Sequence, residues 1–239
     1  MKTQLKPIAI AALIASAALA GQAQAIPVTI AGSTVSFTFD DALTGMFGTP
    51  TVTGDLLYFT PTTFIAQSAN GAGFDIANQT VNIKVTANAG HRITGASLSE
   101  AGDYYNINTN FAGFEGVGVG GQFIARDMDA PGTNYSISSI MASAPTTATV
   151  ASLQTFSTTG WSASASAGMM GWGGDGVDIT LQNILIASSL NPASAAFIEK
   201  KYAGIGLTTV PVPEAETYAM FLAGLGIIGF LARRRTAVK

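Results

Sequence analysis

The stretch that decides the fold is Val81-Asn82-Ile83-Lys84-Val85-Thr86-Ala87, in which apolar and polar residues alternate without interruption. Successive side chains of a β-strand point to opposite faces, so this pattern predicts a strand with one buried and one solvated face. Residues 35–39 alternate in the same way. These two segments indicate a sheet that packs on one side only.

Further segments extend the β pattern over the middle of the chain. The alternation of residues 177–181 shifts to Ile184 and Ile186, which predicts a β-bulge near Asn183. Turn-forming residues separate the remaining strand candidates, which are residues 56–60, 64–68, 93–99, 104–108, 117–126, 135–142 and 201–210. About ten antiparallel strands in one domain predict an all-β fold, an antiparallel β-sandwich of jelly-roll type. Residues 191–201 have room for one short helical turn.

The composition excludes several classes of protein. The chain has 239 residues, of which 48% are apolar and 10% charged, and its formal charge is −3. Between Asp40 and Lys201, twelve acidic residues stand against five basic ones, a net charge of −7. This balance argues against nucleic-acid binding, which needs a clustered basic surface. The absence of cysteine excludes disulfides and thiol chemistry.

The N-terminus has the pattern of a secretory signal peptide over residues 1–25. Lys2 and Lys6 precede an apolar stretch at residues 8–20, and Ala23 and Ala25 form a small-x-small cleavage site for signal peptidase. We therefore expect an N-terminal signal helix and an exported β-sandwich domain at residues 26–210. A domain of this size buries about 70% of its surface on folding, which is enough without disulfides.

The C-terminal residues 211–239 also have a distinctive pattern. Val212, Pro213 and Glu214 precede an apolar block at residues 218–232, and Arg233, Arg234 and Arg235 follow it. Fifteen apolar residues make a helix of about 22 Å, shorter than the bilayer core. The sequence predicts a short transmembrane helix whose basic end stays in the cytosol, so that the preceding domain lies outside.

These C-terminal residues resemble the PEP-CTERM sorting signal of exported proteins of Gram-negative bacteria. The similar features are the Pro213–Glu214 pair, the glycine-containing apolar helix and the closing arginines. The resemblance implies processing by exosortase, a membrane protease, after transient anchoring in the inner membrane by the C-terminal helix. It also implies release to the cell surface or the extracellular matrix of exopolysaccharide. The sequence departs from the family pattern at Ala215 and Glu216.

Both tryptophans, Trp161 and Trp172, lie in residues 157–176, a segment rich in Ser, Thr, Ala and Gly. With few branched apolar residues, part of this segment is predicted to be a long loop. The indole rings could stack on sugar rings, as in a carbohydrate-binding module, or fill the sandwich core from a loop or hairpin. The second alternative is favoured.

No catalytic constellation stands out. The single histidine, His91, lies in a predicted hairpin turn and lacks the partners that a triad or a catalytic zinc site needs. Pairs of carboxylates at predicted turns could serve glycoside hydrolysis, but no spacing singles one out. These pairs are Asp127 with Asp129, Glu100 with Asp103 across a turn at residues 101–102, Asp175 with Asp178, and Asp40 with Asp41.

Calcium binding is an alternative at these turns, since Ca²⁺ prefers carboxylate and carbonyl oxygens. Asp127, Asp129 and Asp175 are the candidate ligands, but local capping of the backbone is the favoured explanation of aspartates at turns. We expect no bound metal and no cofactor.

The sequence therefore predicts an exported, non-enzymatic envelope or matrix protein. Following the resemblance, we expect a structural or adhesive role in exopolysaccharide or biofilm. The rival hypotheses are a carbohydrate-binding module that uses Trp161 or Trp172, and a secreted glycan hydrolase or lyase.

Overall fold

A computed structural model describes residues 27–107, 116–142, 158–173, 175–212 and 215–236. The predicted signal peptide with Ala23 and Ala25, and the Pro213–Glu214 pair, lie outside the described residues. The side chains of Arg234 and Arg235 are likewise outside the description, although their backbone is helical.

The described residues are mostly β-strand. The strands are β1 (Pro27–Ala31), β2 (Val35–Asp40), β3 (Thr51–Thr53), β4 (Leu56–Phe59), β5 (Ile65–Ala69), β6 (Gly73–Ala87), β7 (His91–Ile107), β8 (Gly116–Asp127), β9 (Tyr135–Ser139), β10 (Met141–Ala142), β11 (Thr159–Gly168), β12 (Gly176–Ser189) and β13 (Ala195–Pro211). Two 3₁₀ turns, Asp41–Leu43 and Gly45–Phe47, follow β2, and one α-helix, α1 (Ala215–Thr236), ends the described chain.

The strands form two antiparallel sheets. One has the order β1-β2-β6-β12-β8-β9, and the other has the order β10-β11-β7-β13-β4-β3, with β5 also paired to β13. The inward faces of both sheets contribute to one hydrophobic core, so the predicted antiparallel β-sandwich is confirmed. A jelly-roll connection and the N-terminal signal helix stay predictions.

The strand β7 corrects a prediction of two strands with a turn at residues 101–102. β7 runs unbroken through this region, and β13 pairs with it along most of its length. Ala96, Leu98 and Tyr104 point into the core in strict alternation, and the inward sites between Leu98 and Tyr104 are Glu100 and Gly102. A charged residue and a glycine at inward positions interrupted the apolar pattern, and this made the strand look broken.

The predicted bulge near Asn183 is wrong. β12 pairs without a register shift to Gln79 of β6 and to Gly121 of β8 at this position. Asn183 itself is fully buried and occupies an inward site, while Ile184 and Ile186 lie on the outer face. The apparent shift in period therefore arises from an inward amide and outward isoleucines, with regular backbone throughout.

A bulge does occur in β13. Lys200 pairs with Gly102 and Tyr202 with Ala101, so that Lys201 is the extra residue between them. This insertion lets Lys200 point inward and still leaves Ala203 and Ile205 buried further along the strand. The proposed helical turn in residues 191–201 is also wrong from Ala195 onward, where β13 begins.

Half of the Ser/Ala-rich segment is a strand, β11, which was not among the predicted strands, while residues 169–173 after it form turn and loop, as predicted for part of the segment. β11 pairs with β7 over ten residues, with Trp161, Ala163 and Ala167 buried. The outward positions between them are mostly serines. Small inward residues suffice here because the large ring of Trp161 fills the space.

The helix α1 follows the sandwich as predicted. Its apolar side chains are exposed, from Tyr218 through Phe230. The predicted membrane crossing is not supported, because among the described residues no helix is both long enough and apolar enough to traverse a bilayer.

Candidate functional site

The most unusual group of residues in the sandwich is a buried polar cluster of Glu100, Asn183 and Lys200. The Lys200 Nζ atom lies 2.6 Å from Glu100 Oε2 and donates a hydrogen bond to Asn183 Oδ1. Asn183 Nδ2 in turn donates to Glu100 Oε1 at 2.7 Å. The three side chains therefore contact one another pairwise, and all three residues are at most 1% exposed.

The two sheets meet at this cluster. Glu100 and Lys200 stand on the neighbouring strands β7 and β13, whereas Asn183 comes from β12 in the opposite sheet. Gly102, which pairs with Lys200, leaves room for the close approach: a Cβ atom there would lie 1.9 Å from the Glu199 carbonyl oxygen. The glycine in β7 thus permits the packing beside the lysine.

Aromatic rings enclose the lysine amine. Nζ lies 5.9 Å from the ring centre of Phe47, 5.4 Å from that of Phe64 and 5.5 Å from that of Trp161. These rings exclude water, and burial consequently lowers the pKa of Lys200 from 10.5 to about 8, although the charge and hydrogen bond of Glu100 oppose the change. The amine therefore loses its proton more easily than an exposed lysine does.

Sequence reasoning missed this cluster. Two features of the sequence pointed toward the cluster. Glu100 is an acidic residue at an inward position of a strand, and Asn183 is an amide at the point where the apolar alternation of residues 177–186 fails. Nothing in the sequence pairs Glu100 with residues 83 and 100 positions further along the chain. Only the strand order brings them together.

The two tryptophans have different environments. Trp161 is 3% exposed, and its Nε1–H donates to the Glu199 carbonyl at 3.0 Å, so it fills the core, which is the favoured alternative of the sequence analysis. Trp172 is half-buried and packs against the edge of the core. Of the two indoles, only that of Trp172 has surface available for stacking on a sugar.

The weak calcium candidates are not brought together into one shell. Asp127 is buried, and its two carboxylate oxygens accept hydrogen bonds from the Asp129 N–H and the Asn134 Nδ2, each at 3.0 Å. Asp129 and Asp175 are exposed. In the described part of the chain, no three His, Cys, Asp or Glu residues are grouped so as to hold a metal ion.

Of the carboxylate pairs considered for hydrolysis, Glu100 and Asp103 lie on opposite faces of β7. Glu100 points into the core toward Lys200, whereas Asp103 points outward and forms an ion pair with Lys201. Asp40 caps the 3₁₀ turn that follows it by accepting from the Ala42 N–H at 3.0 Å.

His91 lies beside a turn, but this turn is not the predicted hairpin. Gly90 has φ of 77° in this turn, and His91 N–H donates to the Asn88 carbonyl at 3.1 Å. The turn links β6 to β7, which belong to different sheets, so the predicted hairpin is wrong. The His91 Nδ1 lies 3.3 Å from the Ala89 carbonyl oxygen, a local contact.

The outer face of the six-stranded sheet carries a row of polar side chains. Thr38, Lys84, Asp178 and Arg126 are direct neighbours across β2, β6, β12 and β8. They line a shallow depression of about 480 Å³, next to which the exposed Tyr135 continues the row. Alternating charges beside hydroxyl groups can donate and accept hydrogen bonds, as the hydroxyl groups of a glycan require.

The C-terminal segment leaves the sandwich directly from β13. The Val212 N–H donates to the Gly90 carbonyl at 2.8 Å, and α1 begins at Ala215. Among the described residues, the β-sandwich is followed by a short apolar helix that ends in arginines. Residues 211–235 match the family model of the PEP-CTERM protein-sorting motif. The chain therefore carries a PEP-CTERM signal and is an exported protein sorted by an exosortase-type system.

Comparisons outside the sorting motif add little. No curated protein matches the sequence. Two solved structures with weak similarity are those of infectious bursal disease virus, Gt strain (11% identity, TM-score 0.20, 75% of this chain and 50% of that chain) and Gx strain (12% identity, TM-score 0.22, 76% and 51%). The chain thus spans about half the length of these viral chains, and neither likeness carries an argument.

Proposed function

We propose that this protein is a non-enzymatic structural or adhesive component of the exopolysaccharide matrix or biofilm of a Gram-negative bacterium. The observation that carries the proposal is the PEP-CTERM motif at residues 211–235, immediately after the last strand of the sandwich. The sorting signal delivers the domain outward, and the domain offers a row of polar side chains on one sheet face there.

In this proposal, signal peptidase removes residues 1–25, and the C-terminal helix holds the protein transiently in the inner membrane. Exosortase then recognises Pro213–Glu214 and releases the sandwich to the cell surface or matrix. The test is the substitution Glu214→Ala in the producing cells, with Glu216→Ala as the matched control. Glu216 carries the same charge two residues further on.

We expect the Glu214→Ala protein to keep its C-terminal helix and to stay with the membrane fraction, while wild type and Glu216→Ala reach the matrix. Mass spectrometry of the mature C-terminus measures this directly. An extracellular wild-type protein that still contains residues 215–232 would contradict processing at this motif.

The polar row on the outer face supports contact with polysaccharide. Lys84 and Asp178 are exposed and adjacent, so both can hydrogen-bond to a glycan that lies along the depression. We expect Lys84→Ala and Asp178→Ala each to weaken cosedimentation of the purified protein with exopolysaccharide from the producing cells. Lys201→Ala, at an exposed lysine of the other sheet, is the control. Equal retention of all variants would argue against this surface.

A carbohydrate-binding module that uses a tryptophan is the second candidate, and the partial exposure of Trp172 favours that residue. Trp172→Ala should then reduce retention on the same polysaccharide while the thermal unfolding temperature changes little. Trp161→Ala serves as the contrasting variant, since the loss of a core ring lowers the unfolding temperature.

A further inference from the structure

The buried cluster of Glu100, Asn183 and Lys200 combines three kinds of chemical group that can react with one another. An amine is a nucleophile, the carbonyl carbon of a carboxamide is an electrophile, and a carboxyl group can move protons between them. The pairwise contacts described above hold all three in one buried position. Neither export nor glycan contact at the surface uses them.

We propose that Lys200 and Asn183 form an intramolecular amide bond, an isopeptide cross-link between Nζ and Cγ, with release of ammonia and with Glu100 as the catalytic residue. The bond joins β13 to β12 and therefore connects the two sheets covalently. It needs no cofactor and no further reactant.

The geometry places the reacting atoms together. Lys200 Nζ contacts Asn183 Oδ1, so the amine lies beside Cγ, the carbon bonded to that oxygen. Glu100 reaches both nitrogen atoms involved, with Oε2 2.6 Å from Lys200 Nζ and Oε1 2.7 Å from Asn183 Nδ2. One carboxyl group can thus accept a proton from the nucleophile and donate one to the leaving group.

The environment makes the neutral amine, which is the reactive form, easier to reach than at an exposed lysine. The rings of Phe47, Phe64 and Trp161 surround Nζ, and burial lowers the pKa of Lys200 to about 8. A lysine desolvated among apolar groups is activated as a nucleophile in this way. The same rings keep out water, which would compete for the amide carbon.

The step balances within the cluster. The protonated amine gives one proton to Glu100, and the lone pair of the resulting neutral Nζ attacks Cγ while the π electrons of the carbonyl group move to Oδ1. Nζ then gives up a second proton through Glu100, and Nδ2 receives one. The carbonyl re-forms, the Cγ–Nδ2 bond breaks, and ammonia leaves. One hydrogen remains on Nζ in the new amide, and the remaining proton leaves with ammonia as ammonium.

Mass spectrometry of the recombinant full-length chain tests the proposal. A protease that cuts after acidic residues separates Asn183 from Lys200 at Glu199, so the two peptides stay joined only if the cross-link exists. We expect joined peptides whose combined mass is lower by about 17 Da, the mass of the released ammonia. Separate peptides of unchanged mass from folded wild-type protein would overturn the proposal, wherever the chain ends are processed.

Four variants locate the reacting groups. Lys200→Met and Glu100→Gln should each give separate peptides, whereas Lys201→Met, at the neighbouring exposed lysine, should give joined ones. Asn183→Asp keeps an electrophilic carbon but releases water, so its joined peptides should be lighter by about 18 Da. Joined peptides in the Lys200→Met variant would overturn the assignment of the nucleophile, and undiminished linkage in Glu100→Gln would overturn the role of Glu100. If a variant does not fold, the wild-type peptides still decide the existence of the bond.

Discussion

Gly102 is the residue on which the close packing at the centre of the seven-stranded sheet depends. Any side chain there would occupy space already taken by backbone, because an added Cβ atom would lie 1.9 Å from the Glu199 oxygen and 2.7 Å from Trp161 Nε1. The hydrogen bond from that indole nitrogen to Glu199 crosses directly over the glycine. The requirement is for small size, since Gly102 does not have the positive φ that glycine adopts more readily than other residues.

We expect Gly102→Ala to destabilise the protein by about 3 kcal/mol, because the overpacked backbone of β13 must shift. Urea denaturation measures the loss. The control is Gly168→Ala on the adjacent strand β11, where an added Cβ atom would meet no atom within 4 Å. Equal stability of the two variants would show that the sheet adapts freely at residue 102.

Lys200 gives the protein a dependence on pH that appears when the cross-link cannot form. In an Asn183→Ala variant the amine keeps its burial and its contact with Glu100, the charged side chain that meets Nζ among the described residues. With the pKa of Lys200 lowered from 10.5 to about 8, the unfolded chain binds more protons than the folded chain between these two values. The free energy of unfolding therefore rises with pH across this interval.

Between pH 7 and pH 9, this increase should be about 1 kcal/mol. Urea denaturation of the Asn183→Ala protein at both pH values provides the measurement. The double variant with Lys200→Met removes the titrating amine and should lose this increase. A stability that falls as pH rises in Asn183→Ala alone would contradict the lowered pKa.

Some single residues could be predicted from sequence and others could not. Trp161 was correctly favoured as a core residue, since large rings more often fill cores than line surfaces. The partners of Lys200 could not be predicted, because they lie on strands whose neighbours depend on the sheet order. The sequence around a buried polar residue does not show which distant group forms a hydrogen bond with it.

At the level of elements, the alternation of apolar and polar residues located most of the strands but not the positions of bulges and turns. β2, β6, β8 and β12 follow clear periods of two, and each was expected near its observed position. The strand β11 was missed because alternating Ser and Ala have little hydrophobic contrast. Inward polar residues gave a false bulge in β12 and a false turn in β7, whereas the real bulge at Lys201 lies among charged residues that show no period.

The bulge in β13 predicts that the deletion of Lys201 is tolerated. Removing Lys201 should leave Lys200, Ala203 and Ile205 on the inward face, because this residue has no partner in β7. We expect the deletion to destabilise the protein only slightly, because the ion pairs that it removes are exposed to solvent. Thermal unfolding and near-ultraviolet circular dichroism test this.

Deletion of Thr180 is the matched control, because β12 pairs in register on both edges there. Losing one residue moves half of that strand's side chains to the wrong face, so we expect this variant not to fold. A Lys201 deletion that is as damaging as the Thr180 deletion would refute the assignment of the extra residue.

For the whole molecule, the cross-link would reduce the contour length that the chain releases when it is unfolded by force. Asn183 and Lys200 are 17 residues apart, so a bond between them locks a loop that full extension cannot open. In single-molecule force spectroscopy, unfolding of wild type should release about 6 nm less contour length than unfolding of Lys200→Met. Equal lengths would show that the loop opens under load.

The strand that leads to the sorting signal is also paired along both of its edges. β13 lies between β7 on one side and β4 and β5 on the other, and it ends where the PEP-CTERM motif begins. A pulling force applied to the C-terminal tail therefore acts first on β13, the most extensively hydrogen-bonded strand of its sheet, and only then on the other strands.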